Sequence, residues 1–226
     1  MTDFPWLKSY DTGIDWNAHL DTYPVYEVLD QAVKRWPDRA VTDFLGKELS
    51  YADLDDMVNR AAKGFQELGV GPGVHVGMFL PNTPHFLVCF YAVMKCGGTI
   101  VNYSPLDAEK TLHHKIEDSE TDIVVTLDLV ALFPMMDKLL KSTRVKKLVV
   151  GSLTDVLPFP KNLLFPLVKG KEIAKVPNTG EYVKFKKLLA NDGRYTPAPA
   201  IDPDDAVAVI QYTGGTTGLP KGAMLT

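Results

Sequence analysis

The stretch Ala206-Val-Ala-Val-Ile-Gln-Tyr-Thr-Gly-Gly-Thr-Thr-Gly-Leu-Pro-Lys-Gly222 joins an apolar strand pattern to a loop of distinctive chemistry. The apolar, β-branched run 206–211 predicts a strand. Three glycines, three threonines and one lysine then fall within nine positions, Thr213 to Lys221. Gly214, Gly215 and Gly218 permit positive φ, so their amide N–H groups can converge on one point with no side chain in the way. Thr213, Thr216 and Thr217 add hydroxyl donors able to reach a bound metal ion, and Lys221 adds a compact positive charge on a flexible stem. Pro220 stiffens the approach to that lysine. Each charge-assisted contact is worth about 1.5–3 kcal/mol, so several together suit a polyphosphate. The spacing is not that of the Walker loop, because Lys221 follows Pro220 and precedes Gly222. A flexible Gly/Thr connector without a ligand is the bland alternative.

Upstream, the chain opens with an aromatic-rich arm, Phe4 to Tyr10, and reaches a helix over 25–36 that Pro37 stops. Ser50-Tyr-Ala-Asp53 forms a capping-box pattern, and Leu54, Val58, Ala61, Ala62, Phe65 and Leu68 continue at helical spacing. Gly69-Val-Gly-Pro-Gly73 has the wrong context for a dinucleotide loop, since a helix precedes it and a strand over 74–80 follows. Thr83 and Pro84 start the next helix, whose run 86–94 is apolar all round and therefore expected to be buried. A buried strand at 99–102, a polar helix over 107–119, a strand at 123–126, a helix over 127–141 with Pro134 as a point of interruption, and a strand at 147–150 follow. This alternation implies an α/β fold with a mostly parallel sheet covered by helices on both faces. The two cysteines, Cys89 and Cys96, lie seven apart on one helix, where they cannot form a disulfide. They read as buried thiols in a reducing compartment. The five histidines, at 19, 75, 85, 113 and 114, show no triad or zinc spacing and read as structural or solvent-facing.

After residue 150 the pattern breaks, dividing the chain into a first α/β subdomain (1–150), a proline-rich apolar and basic insert with a linker (151–205), and a strand with its loop (206–226) that opens a second subdomain. Net charge is −4, which argues against a nucleic-acid partner. From Lys138 to Lys175, however, nine Lys/Arg stand against two acids. Within it, Phe159, Leu163, Leu164 and Phe165 are candidates for a membrane interface or for access of an apolar chain. Packing of the insert against the sheet is the other reading and is slightly favoured. The apolar run 86–94 is too short to span a bilayer, and residues 1–5 carry no signal-peptide pattern, so the expected location is cytoplasmic, with peripheral contact at the inner membrane face admitted.

Residue for residue, Thr213 to Gly222 resembles the phosphate loop T-[SG]-G-[ST]-T-G-x-P-K-G of the AMP-forming, adenylate-forming enzymes. The likeness extends upstream. Leu49-Ser-Tyr51 with Asp53-Leu54 is similar to the family's first core motif, and Gly97-Gly98 leading to Asn102 and Pro105 to its second. Pro5-Trp-Leu7, Trp36-Pro-Asp-Arg39, Pro81-Asn82 and the apolar insert resemble bacterial long-chain fatty acyl-CoA ligases. Asp107 departs from that subgroup, where an aromatic residue is common.

The resemblance implies the N-terminal part of the large domain of an adenylate-forming enzyme. The implied reaction converts fatty acid, ATP and coenzyme A to acyl-CoA, AMP and pyrophosphate through an acyl-AMP. In it Thr213, Gly214, Gly215, Thr216, Thr217, Gly218 and Lys221 hold the ATP phosphates, and Thr217 is a candidate ligand for Mg. The family's catalytic lysine is expected beyond residue 226, so this chain alone is expected not to turn over, and its open sheet edge favours self-association such as a homodimer. A fatty acyl-AMP ligase, another carboxylate-adenylating enzyme, a non-catalytic nucleotide-binding module and a membrane-docking module are the alternatives.

Overall fold

The structure is a computed structural model that describes residues 4–214 and 219–226. Helix α1 (Tyr26–Arg35) is followed by two short strands, β1 (Ala40–Phe44) and β2 (Lys47–Ser50), which pair antiparallel around Leu45 and Gly46, both at positive φ. Two adjacent positive-φ residues are what a two-residue hairpin turn requires. Helix α2 (Tyr51–Glu67) starts on the expected capping box: the Asp53 N–H donates to Ser50 Oγ at 3.1 Å, and the Ser50 N–H donates to Asp53 Oδ2 at 3.0 Å. The side-chain and backbone hydrogen bonds from Ser50 hold the Asp53 carboxyl below the usual carboxylate range. The buried face of α2, Leu54, Val58, Ala61, Ala62 and Phe65, carries the predicted helical spacing into the core.

The main sheet is built from β3 (His75–Met78), β4 (Thr99–Asn102), β5 (Thr121–Leu127), β6 (Lys147–Gly151), β7 (Tyr182–Lys184), β8 (Val209–Thr213) and β9 (Lys221–Leu225). Their order is β7-β6-β5-β3-β4-β8-β9, all neighbours parallel except the β8–β9 hairpin. The alternation is carried by α3 (Pro84–Lys95), α4 (Glu109–Asp118) and α5 (Phe133–Ser142), with α6 (Leu153–Val156), α7 (Lys161–Val168) and α8 (Phe185–Leu188) in the later part. Because β4 and β5 flank β3 on opposite sides, right-handed crossovers put α3 and α4 on opposite faces. α2 packs on α3, and α4 on α5, accordingly. The α/β class and the mostly parallel sheet are as the sequence predicts.

Several boundaries differ from the sequence reading. The stretch 127–141 is not one helix: Leu127 ends β5, and α5 begins at Phe133 with Pro134 in its first turn, where a missing N–H costs nothing. The stretch 206–226, read from sequence as one strand and its loop, supplies two strands, β8 and β9, that pair within the same sheet as β3 to β7. α3 is less enclosed than its composition implies: Val88, Cys89, Ala92 and Val93 are buried, while Phe86, Leu87, Phe90 and Tyr91 are half-buried. Both cysteines are buried, as predicted, and burial pushes the Cys96 thiol up to about 12. At the end of α3 the buried Lys95 ammonium is shared between Asp30 at 2.9 Å and Asp55 at 3.0 Å. Burial acts to lower its pKa, but the hydrogen bonds to Asp30 and Asp55 carry it above the usual value.

Candidate functional site

In the β8–β9 hairpin Thr213 stands opposite Lys221, and Tyr212 opposite Gly222. Directly opposed residues of an antiparallel pair project to the same face, so the Thr213 hydroxyl and the Lys221 ammonium flank the mouth of the connecting loop together. Both residues are exposed, as is Gly214. Gly215, Thr216, Thr217 and Gly218 lie outside the described residues. Gly222 is required by close approach, since a Cβ there would come within 2.8 Å of Ile210 Cγ2. The mouth sits at the carboxyl end of β8, and carboxyl ends of parallel strands are where ligands of open α/β sheets bind.

Both ends of the loop are tied to α4. The buried Tyr212 hydroxyl donates to Asp118 Oδ2 at 2.6 Å and lies 3.1 Å from the Lys115 carbonyl. Burial, and then the hydrogen bond to Asp118, raise the Tyr212 pKa, so the phenol stays protonated and donating. Across the hairpin, His114 Nε2 stands 3.3 Å from the Pro220 carbonyl and donates to it in the Nε2–H tautomer. Between them the buried Lys115 ammonium donates to Asp107 at 2.7 Å and lies 5.3 Å from the centroid of the Tyr212 ring. Asp107, the residue that departs from the subgroup's aromatic, is therefore the ion-pair partner of a buried lysine. The C-terminal end of α4 is fixed in turn by Tyr103, whose hydroxyl lies 2.9 Å from Ser119 Oγ and 2.6 Å from Thr121 Oγ1. Sequence reading missed this brace. Its one signal was the i, i+4 spacing of His114 and Asp118 on a polar helix, which names no partner.

The described part of the mouth thus offers a hydroxyl, an exposed ammonium and a glycine backbone on a braced strand pair, a set that suits phosphate oxygens. The sequence pattern of AMP-binding enzymes matches residues 29–226. The chain belongs to the AMP-binding enzyme family. A long-chain-fatty-acid–CoA ligase of Bacillus subtilis (strain 168) is 34% identical over 226 residues, which cover 98% of this chain and 40% of that protein. A salicyl-AMP ligase/salicyl-S-ArCP synthetase of Mycobacterium tuberculosis (strain ATCC 25618 / H37Rv) is 30% identical over 219 residues, 94% of this chain and 34% of that one. The crystal structure of an anthranilate CoA ligase in complex with anthranoyl-AMP superposes with a TM-score of 0.73 at 15% identity, covering 93% of this chain and 36% of that one. The chain therefore spans about 40% of the length of the fatty-acid–CoA ligases it matches.

The other candidate residues lie elsewhere. Phe159 precedes α7, and Leu163, Leu164 and Phe165 lie on it; the first three are exposed and Phe165 is half-buried. Packing of the insert on the sheet does not hold for α7, which buries none of its residues. A cavity of about 740 Å³ opens at the other end of the sheet, lined by Tyr23, Tyr26, Thr99, Asp202, Val207 and Thr226 among others. It adjoins the amino ends of β4 and β8, away from the loop, and its polar lining is acidic, which suits phosphate poorly. The hairpin mouth, not this cavity, is the candidate phosphate site. No group of three or more metal-ligating His, Cys, Asp or Glu side chains occurs among the described residues.

Proposed function

We propose that the complete protein is an AMP-forming acyl-CoA ligase that activates a long-chain fatty acid with ATP. The observation that carries this reading is the Thr213–Lys221 hairpin mouth, braced at both ends by α4, in a chain with 34% identity to a long-chain-fatty-acid–CoA ligase. In this reading the fatty carboxylate attacks the α-phosphorus of ATP, giving acyl-AMP and pyrophosphate, and the thiol of coenzyme A then displaces AMP. The loop's part is electrostatic. Lys221, the Thr213 hydroxyl and the loop amides would hold the β- and γ-phosphates and stabilise the charge that develops on the departing pyrophosphate. Mg would neutralise phosphate oxygens, with Thr217 as the candidate ligand from this chain; hydroxyl donors together with substrate phosphates fit that hard cation.

The test is exchange of labelled pyrophosphate into ATP by the complete protein, with palmitate, salicylate, anthranilate or no acid supplied. Palmitate-dependent exchange is expected. Thr217→Ala or Lys221→Ala should slow it roughly 10- to 150-fold, the rate equivalent of one charge-assisted contact. Unchanged exchange in both variants would remove the loop's assigned role. Exchange with an aromatic acid alone would favour the second reading, an aryl-carboxylate ligase, which the salicyl-AMP and anthranilate relatives support.

A further inference from the structure

Helix α7 buries none of its eight residues, although five of them are Leu, Phe or Val. Phe159 is 79% exposed, Leu167 81% and Val168 74%, with Leu163 and Leu164 exposed beside them. The helix is nevertheless anchored at both ends. Val156 and Leu157 are buried just before it, and just after it Ile173 bridges Leu129 while the Ala174 N–H donates to the Asp128 carbonyl. α7 is thus a fixed apolar projection.

Its surroundings are basic. Lys161, Lys169, Lys171 and Lys175 flank it, and Glu172 is the one acid of the stretch 157–175. The long basic stretch seen in the sequence divides here. In and after α5, Lys138, Lys141, Arg144 and Lys146 are all ion-paired, to Glu109, Asp137, Glu120 and Asp122. Around α7, Lys169 pairs with Glu172, Lys161 donates to the Leu45 carbonyl, and the exposed Lys171 and Lys175 have no ion-pair partner among the described residues.

We propose that α7 docks on an anionic phospholipid surface, its apolar side chains entering the headgroup–acyl boundary and its lysines meeting the phosphates. An apolar tip collared by lysines matches that interface in both polarity and charge. A protein cover over the same tip would have to desolvate the lysines or supply acids to each. Eight residues of helix reach about 12 Å, too little to span a bilayer, and no helix among the described residues is long and apolar enough to cross one. The docking rests on these residues alone; its use, delivery of a bilayer-dissolved fatty acid to the phosphate loop, rests on the proposed reaction. The geometry favours that use. α7 follows β6 and α6, and the loop follows β8, so both lead off from the carboxyl end of the sheet, from strands four spacings or roughly 19 Å apart.

The complete protein would be sedimented with vesicles of phosphatidylcholine alone and of phosphatidylcholine mixed with phosphatidylglycerol. Binding to the mixed vesicles is expected, weakened roughly tenfold or more by Leu163→Ser/Leu167→Ser/Val168→Ser, while Lys171→Glu/Lys175→Glu removes the preference for the anionic mixture. These side chains are exposed, so the fold should survive both variants. No binding by the wild type, or equal binding by the triple variant, would overturn the proposal. A second measurement labels Leu167→Cys with an environment-sensitive fluorophore, in a complete protein whose other accessible cysteines are replaced by Ser, Cys89 and Cys96 being buried. A blue shift only on adding anionic vesicles supports docking. A shift without vesicles that is independent of concentration means that the rest of the chain covers α7, and one that grows with concentration means a second copy does; either overturns it. Palmitate-dependent exchange without vesicle binding sinks docking alone, and vesicle binding without exchange sinks the reaction alone.

Discussion

His85, in the first turn of α3, is 1% exposed, and neither of its ring nitrogens has a hydrogen-bond partner. It meets Phe185 edge-on with ring centroids 4.8 Å apart and packs so closely on Gly151 that a Cβ there would fall 2.8 Å from its Cδ2. Burial lowers its pKa from 6.5 to about 4, so the folded protein holds it neutral. The unfolded chain binds a proton near 6.5 that the folded chain refuses until about 4. Stability is therefore complete above 6.5 and is lost as pH falls through that window, by roughly 3 kcal/mol in all and about 2 of it by pH 5. Urea midpoints of the complete protein measured at pH 7 and pH 5 should show this loss, and His85→Leu should flatten it. Equal acid-side losses in both proteins would mean that other groups carry the acid sensitivity. From sequence His85 read as structural or solvent-facing, and its burial selects the first; its missing partners could not be read from spacing, because they depend on which backbone groups the neighbouring strands have already used.

At the scale of elements, what was legible in the sequence was what local chemistry determines. The Ser50–Asp53 capping box, the apolar stripe of α2, the Pro84 start of α3 and strands β3 to β6 all follow from periodicity and caps within a few residues. The β1–β2 hairpin was not legible, because its turn puts the non-glycine Leu45 at positive φ. Nor was β9, whose strand exists only through its pairing with β8. In the candidate site the loop's residue types were readable and the brace was not, since Tyr212–Asp118 and His114–Pro220 join positions about a hundred residues apart. The brace makes a prediction of its own. Tyr212→Phe and His114→Ala each free one end of the loop, and each should raise the KM for pyrophosphate in the exchange reaction several-fold, as loss of one hydrogen bond of about 1 kcal/mol implies. Because one helix holds both ends, the double variant should depart from the product of the single effects. KM values equal to wild type in all three proteins would show that the loop does not need α4 to hold its shape.

For the whole molecule the two edges of the sheet differ. β7 is three residues long and lies beside β6, the strand that leads into α6 and α7, whereas β9 is a five-residue edge strand on the far side with Met224 and Leu225 exposed. Leu219, just before β9, is exposed as well. An unpaired edge strand carrying apolar side chains is a template for pairing with another chain. The 226-residue chain, about 40% of the length of its fatty-acid–CoA ligase relatives, should therefore self-associate when produced alone, with a mass in sedimentation that rises with concentration. Met224→Lys puts a charge on that edge and should move the association to roughly tenfold higher concentration. The same measurement separates the two apolar surfaces of the molecule. If Met224→Lys leaves association unchanged and the Leu163, Leu167 and Val168 serine variant abolishes it, α7 is the contact between copies, and the lipid surface loses its claim on that helix. If Met224→Lys alone suppresses association, the β9 edge is the contact between copies, and α7 is left free of self-contact, as docking on a membrane requires.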